Sequence, residues 1–332
     1  MKALFIGGTG NISTAVSRLA VSRGIELYLL NRGHREVDIP GVHQIHADIN
    51  DTAAVREVIR GHQWDCVADF IVFTPDQIER DFDLFKDSAG QYIFISSASA
   101  YQKPPTSHII TESTPLANPY WQYSRDKIAC EDLLNQYYRE QGFPITIVRP
   151  SHTYDKVIPT AVGGGDAYTL IDRMIRGEKV IVHGDGTSLW TLTHSEDFAK
   201  GFVGLIGNQQ AVGHAFHITS DEVLTWDQIY RTIGAAVGAR PHIVHIPSDY
   251  LARFDETLRG GLVGDKANCA IFDNTKIKTF VPEYKAAIPF REGVARTIRW
   301  FQAKPERMTV NGERNAFLDR VIRCYERACA PE

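Results

Sequence analysis

KALFIGGTGNISTAVSRLAVS, residues 2–22, changes period in its middle. Lys2 to Ile6 is a short apolar run of the kind a buried strand uses, and it ends in Gly7-Gly8-Thr9-Gly10. From Asn11 onward Ile12, Ala15, Val16, Leu19 and Ala20 recur at helical spacing. The stretch reads as strand, glycine turn, helix. Glycine lets backbone N–H groups come close to a bound anion, and the partial positive charge of a helix N-terminus favours a phosphate there. Gly7, Gly8, Thr9, Gly10, Asn11 and Ile12 are therefore the candidate dinucleotide-binding residues. Where the fingerprint carries its third glycine the chain has Ser13, still small enough for close packing of helix on strand.

Outward from this unit the alternation repeats. Ile25 to Leu30 reads as a second strand stopped by Asn31-Arg32-Gly33, and Val42 to His46 as a third. Asp51 to Gly61 has helical spacing, Cys66 to Val72 is a fourth strand and Gln91 to Ser96 a fifth. A long helix is expected from about Asn118 to Glu140, before a sixth strand over Ile145 to Val148. Strands alternating with helices over 150 residues imply parallel βαβ units: an α/β fold, a Rossmann-type doubly wound parallel sheet. Beyond Pro150 the alternation loosens. Ser151 to Asp166 reads as an irregular substrate-side loop, and later helices (Tyr168 to Arg176, Ser195 to Gly207, Trp226 to Val237, Phe290 to Phe301, Asn315 to Ala328) mix with short strands. This part is expected to form a smaller mixed α/β lobe at the carboxyl end of the sheet.

Composition narrows the partners. The 332 residues are 43% hydrophobic and 23% charged, the balance of a globular protein. Lys plus Arg is 36 against 40 Asp plus Glu, a net charge of −4 that lacks the basic excess nucleic-acid binding needs. No apolar run approaches the ~20 residues of a membrane span, and the N-terminal apolar run meets glycine at Gly7, too early for a signal-peptide core. A cytoplasmic location without membrane or nucleic-acid partners is expected. The five cysteines, Cys66, Cys130, Cys269, Cys324 and Cys329, show no C-x-x-C spacing and are expected as reduced thiols. The pairs His43/His46, His214/His217 and His242/His245 fall in expected strands, where residues three apart face opposite sides, so no metal site is expected.

Two features bear on cofactor and chemistry. A carboxylate at the end of the second strand would take the ribose diol of NAD, whereas a base there suits the additional phosphate of NADP. The chain has Asn31 and Arg32 with Arg35 nearby, which favours NADP over NAD. Asp48, after the third strand, either faces the adenine or caps the following helix. The second feature is Tyr123-x-x-x-Lys127 on one face of the long helix, where the ammonium of Lys127 would favour the phenolate of Tyr123 and fit it for acid/base work. Thirteen tyrosines make such a spacing common, so its position decides: the helix follows a strand ending in Ser96-Ser97-Ala98-Ser99 at the carboxyl edge, where such sheets bind ligands. Ser97 can then donate to the reacting oxygen.

These residues resemble the extended short-chain dehydrogenase/reductase family, of the NAD(P)-dependent epimerase/dehydratase type that includes UDP-galactose 4-epimerase. The resemblance rests on Gly7 to Gly10, Ile95 to Tyr101, Tyr123 to Lys127, Arg149-Pro150, Gly184-Asp185-Gly186, and His194 with Asp197. It implies that Tyr123 is the acid/base, that Lys127 also holds the nicotinamide ribose, that Ser97 is the hydroxyl on the substrate oxygen and that Pro150 borders the cofactor. It further implies that the helix from His194 to Gly207 and the strand Ala215 to Ile218 return to the cofactor sheet. The dinucleotide domain is then residues 1–150 plus about 192–221, and the substrate lobe 151–191 plus 222–332. A homodimer is common in such enzymes.

The departures bear on substrate. Dehydratases similar to this family place Asp-Glu directly after the catalytic hydroxyl, where this chain has Ala98 and Ser99. Nucleotide-sugar epimerases have an Asn where His152 stands, and a diphosphate-binding Arg in the stretch Leu189-Trp190-Thr191. Trp190 cannot neutralise a pyrophosphate; it is either core or a stacking plane for an uncharged group. Ser99, His152 and Trp190 are the candidate substrate contacts, and the expected reaction is epimerisation or oxidoreduction of a carbinol or carbonyl in a sugar-like substrate. One branch of the family resembles chloroplast stem-loop RNA-binding proteins, a non-catalytic alternative opposed by the intact Ser97, Tyr123 and Lys127.

Overall fold

The computed structural model describes residues 1–33, 37–165 and 167–330. Its centre is a sheet of seven parallel strands: β1 (Lys2–Ile6), β2 (Glu26–Asn31), β3 (His43–His46), β4 (Cys66–Asp69), β5 (Tyr92–Ile95), β6 (Ile145–Pro150) and β7 (Ala215–Ile218). Side by side they run β7-β6-β5-β4-β1-β2-β3. The order reverses between β1 and β4, and the crevice at such a switch point is where doubly wound sheets bind ligands. Every residue of β4, β5 and β6 is buried, which is why these segments read as unbroken apolar runs rather than alternating ones.

Helices cover both faces. On one side α1 (Ser13–Ser22) and the later helix Ser195–Leu205 pack together, through Val16, Ala20, Phe198, Phe202 and Leu205. On the other side α2 (Thr52–Ile59), α3 (Pro75–Phe85) and α4 (Gln122–Gln141) bury Val55, Ile78, Phe85, Cys130 and Leu134.

Four local differences from the sequence reading have physical causes. β4 stops at Asp69 instead of reaching Val72, because the Asp69 carboxylate accepts the N–H of Ile71 at 2.6 Å and turns the chain. Helix α3 was not anticipated, although Thr74 and Gln77 form a reciprocal capping box with Pro75 in the first turn. Helix α4 begins at Gln122 rather than Asn118, since the Asn118 amide bridges the carbonyls of Ser99 and Gly264. Asp48 is not a helix cap: Asp51 caps α2 by accepting from the N–H of Ala54, while Asp48 accepts from Asn50.

The remaining chain is built on two-stranded pieces. Lys179–His183 pairs with His242–Ile246, Leu189–Trp190 with Leu224–Thr225, and Ile109–Ile110 with Ile271–Phe272. His152–Tyr154 forms a strand beside Leu192–His194, where an irregular loop was expected. Trp190, Trp226, Tyr230, Phe290 and Phe301 share the core of this region.

Candidate active site

Two depressions open at the carboxyl ends of the strands. The first, about 390 Å³, is walled by Gly7, Thr9, Gly10 and Ser13 from the glycine turn, Asn31, Arg32 and Gly33 after β2, Asp48 after β3, and Phe70 and Ile71 after β4. Gly7 has φ +101°, and a Cβ there would stand 3.2 Å from Ile71 Cγ2, so both backbone and space demand glycine. The Ser13 hydroxyl accepts the N–H of Gly10 at 2.8 Å and closes the turn. A main-chain cradle of this kind at the start of α1 fits a dinucleotide pyrophosphate. Gly8, Asn11 and Ile12 are not part of this wall. Gly8 packs on Leu29, Asn11 donates to the carbonyl of Thr153 at 3.1 Å, and Ile12 faces the core.

At the end of β2 the Asn31 side chain is occupied, accepting from Gly33 N–H at 2.8 Å and donating to Gln44 at 3.2 Å. Arg32 is exposed at the mouth of the cleft, and Asp48 is the acid among its described lining residues. Arg35 lies outside the described residues.

The second depression, about 230 Å³, brings together Ser97, Ser99, Tyr123, Pro150, His152 and Trp190, six residues singled out from sequence. They come from the ends of β5 and β6, the start of α4 and the Leu189–Trp190 strand. Ser124 Oγ donates to Ser99 Oγ at 2.7 Å, and Ser99 Oγ lies 2.9 Å from Ser97 Oγ. Either hydroxyl can give the proton between Ser99 and Ser97, and Ser97 Oγ also accepts the Ser99 N–H at 3.2 Å.

Burial raises the Tyr123 phenol, opposed by the neighbouring Ser97 hydroxyl. Lys127 does not lower Tyr123 as the i, i+4 spacing implied. Lys127 lies beneath the cavity rather than on its wall, and its ammonium donates to the carbonyls of Val72 at 2.5 Å and Ile95 at 2.7 Å. Burial brings Lys127 down to about 8.

Trp190 is buried, packed 5.3 Å from Trp226, and its indole N–H donates to Nδ1 of His152 at 3.1 Å. Burial holds His152 neutral, with a pKa pushed down to about 3. Lys103, Trp121, Asp265, Lys266 and Phe272 also line the wall and carry no sequence signal. They come from loops, from the π-helix Leu262–Lys266 and from the short strand Ile271–Phe272, where no sequence motif marks them.

The profile of the NAD dependent epimerase/dehydratase family matches residues 3–219. The chain belongs to this family. Among curated members, 2'-dehydrokanamycin reductase of Streptomyces kanamyceticus is 22% identical over 76% of this chain and 71% of its own. Chloroplast stem-loop binding protein of 41 kDa b of Arabidopsis thaliana is 25% identical over 74% of this chain, and UDP-glucose 4-epimerase of Lactobacillus helveticus 27% identical over 51%. The matches span 65% and 63% of those two proteins. Among solved structures, UDP-glucose 4-epimerase of Bifidobacterium longum in complex with NAD+ and UDP superposes with a TM-score of 0.71 at 17% identity, over 92% of this chain and 99% of that one. The dTDP-glucose 4,6-dehydratase of Bacillus anthracis in complex with NAD gives 0.72 at 18%, over 92% and 98%. At these identities the likeness is one of fold. This epimerase/dehydratase family member contains, among its described residues, no helix long and apolar enough to cross a membrane.

Proposed function

We propose that this protein is an NADP-preferring epimerase or reductase acting on a carbinol or carbonyl of a small sugar-like substrate. The observation that carries it is the convergence of Ser97, Tyr123, His152 and Trp190 on one cavity at the same sheet edge as the glycine cleft. A bound nicotinamide supplies hydride exchange with the reacting carbon. Tyr123 gives or takes the proton at the substrate oxygen, and the Ser97 hydroxyl, which lines the same cavity, holds that oxygen. Lys127, clamped to Val72 and Ile95 with its Nζ 5.8 Å from the centroid of the Tyr123 ring, supports the floor of the site and has its third proton left for the nicotinamide ribose. Arg32 takes the 2'-phosphate, in a cleft with no carboxylate at the end of β2.

The division into a dinucleotide domain (1–150 plus about 192–221) and a substrate lobe (151–191 plus 222–332) is part of this reading. Its support is the membership of Ala215–Ile218 in the central sheet. A net charge of −4 and the intact Ser97, Tyr123 and Lys127 favour the enzyme over an RNA-binding role. The test is the ultraviolet spectrum and mass of any small molecule released on denaturation, followed by titration of the emptied protein with NADP and NAD. A retained dinucleotide indicates an epimerase that recycles its hydride, and reversible uptake a reductase. Binding of neither dinucleotide overturns the proposal.

A further inference from the structure

Hydride chemistry leaves unused a set of charges in the cavity beside Tyr123. Lys103 is buried, with 1% of its side chain exposed, yet it forms part of the cavity wall. The carboxylate nearest its ammonium among the described residues is Asp265, whose Oδ1 is 3.9 Å away, beyond hydrogen-bond length. Asp265 is shared, since its other oxygen faces the Lys266 ammonium at 3.8 Å. Lys103, Lys266 and Asp265 are the charged groups among the described lining residues, so one positive charge is left over.

A second donor points the same way. The Trp190 indole can only donate, so the His152 Nδ1 that it meets carries a lone pair, and the neutral ring must hold its proton on Nε2. The ring lines the cavity, and its Nε2–H has no hydrogen-bond partner among the described residues. A ligand therefore meets an ammonium and a neutral N–H, and must bring acceptor oxygens to both.

This wall is held in place. The carbonyl of Lys266 accepts from His183 Nε2 at 2.9 Å, Trp226 Nε1 at 3.1 Å and Ser188 Oγ at 3.3 Å. The carbonyl of Gly264 accepts from Asn118 at 2.7 Å, so Asp265 sits between two fastened peptide groups.

We propose that the cavity is a carboxylate subsite and that the substrate is a sugar acid, its carboxylate neutralised by Lys103 and hydrogen-bonded by His152 Nε2–H. This rests on the function proposed above. A neutral sugar would leave the Lys103 ammonium buried without an acceptor, which is costly. A dianionic phosphate would overshoot the single surplus charge. The volume, about 230 Å³, lies below the ~300–1,000 Å³ of drug-sized sites, and suits a single ring rather than a nucleotide-linked sugar.

Trp121 and Trp190 line the cavity, so indole fluorescence reports its occupancy. The protein saturated with whichever dinucleotide it takes up is titrated at pH 7.5 with D-glucuronate, D-galacturonate and D-gluconate, each beside its uncharged amide, and with glucose 6-phosphate. At least one acid should bind about tenfold or more tightly than its amide, the scale of a charge-assisted hydrogen bond. Lys103→Gln should erase that preference without changing dinucleotide affinity, and Lys103→Arg should retain part of it. The subsite is overturned if amides bind as well as acids, if no acid binds, if the sugar phosphate is preferred, or if folded Lys103→Gln keeps the preference. Should Lys103→Gln fail to fold, the acid-to-amide ratio of the unaltered protein decides. Failure with dinucleotide bound sinks the subsite alone, whereas absence of dinucleotide binding sinks the function on which it rests.

Discussion

Glu131 of α4 grips Arg149 of β6 in a buried fork, with Arg149 Nε 2.9 Å from one carboxylate oxygen and Nη2 on the other. The same carboxylate accepts from Ser96, the neighbour of Ser97. Tyr123, Lys127 and Glu131 are spaced four apart and lie on one helix face. The fork thus fixes the height at which Tyr123 and Lys127 stand over the end of β5.

Removing one partner of a buried pair leaves the other uncompensated. Glu131→Gln should cost about 3–5 kcal/mol, read as a lower urea midpoint with unchanged slope. Glu131→Met combined with Arg149→Leu should recover much of that loss, since apolar replacement of a whole buried pair is often neutral.

Tyr123→Phe removes the hydroxyl proposed to transfer the proton while leaving the ring packed 4.9 Å from Trp121. Turnover should fall by about 10²–10⁴ with dinucleotide affinity unchanged. Steady-state rates beside a cofactor titration check this, and a loss of both would show that the residue is structural.

Arg32→Glu places an acid at the mouth of the cleft proposed to take the cofactor ribose. NADP affinity should drop by about tenfold to a hundredfold, the scale of one charge-assisted contact, while NAD binding holds or improves. Equal loss for both dinucleotides would remove Arg32 from the phosphate site.

Lys127 is lowered by burial from 10.5 in the unfolded chain to about 8 in the fold. Between those values the unfolded state binds the additional proton, so stability rises with pH across the window. Below pH 8 the burial penalty is fully present. The gain is at most about 1.4 kcal/mol per pH unit; Lys127→Met should lack it, so the difference between the native protein and Lys127→Met in urea unfolding should change across pH 7.5, 9 and 10 by that amount.

How far the chain could be read depended on how local each signal was. The Lys2–Ile6 strand, its glycine turn and helix α1 are contiguous, and the period change at Gly7 is visible without a partner. Ser97, Tyr123 and His152 could be named because each follows a strand or opens a helix at the carboxyl edge. Lys103, Asp265 and Lys266 could not, since they meet only when a loop after β5 and a π-turn far along the chain pack together. The Tyr123–Lys127 spacing was read correctly as one face, but the lysine spends its protons on two carbonyls, which no spacing reveals. Thr74-Pro75-Asp76-Gln77 is a legible start signal for α3, carried by the capping box and the proline of the first turn.

The outermost strand of the sheet, Ala215–Ile218, pairs with β6 only after the chain has run out through the Trp190 and Trp226 region's first strands and come back. A fragment ending at Pro150 would expose the buried β6 as a raw apolar edge, open to association with its own copies. Synthesis must therefore pass well beyond the glycine cleft before that edge is closed. The two halves of the molecule are expected to melt in a single transition, and a tidy excision of the first 150 residues should yield aggregate rather than a small nucleotide-binding module.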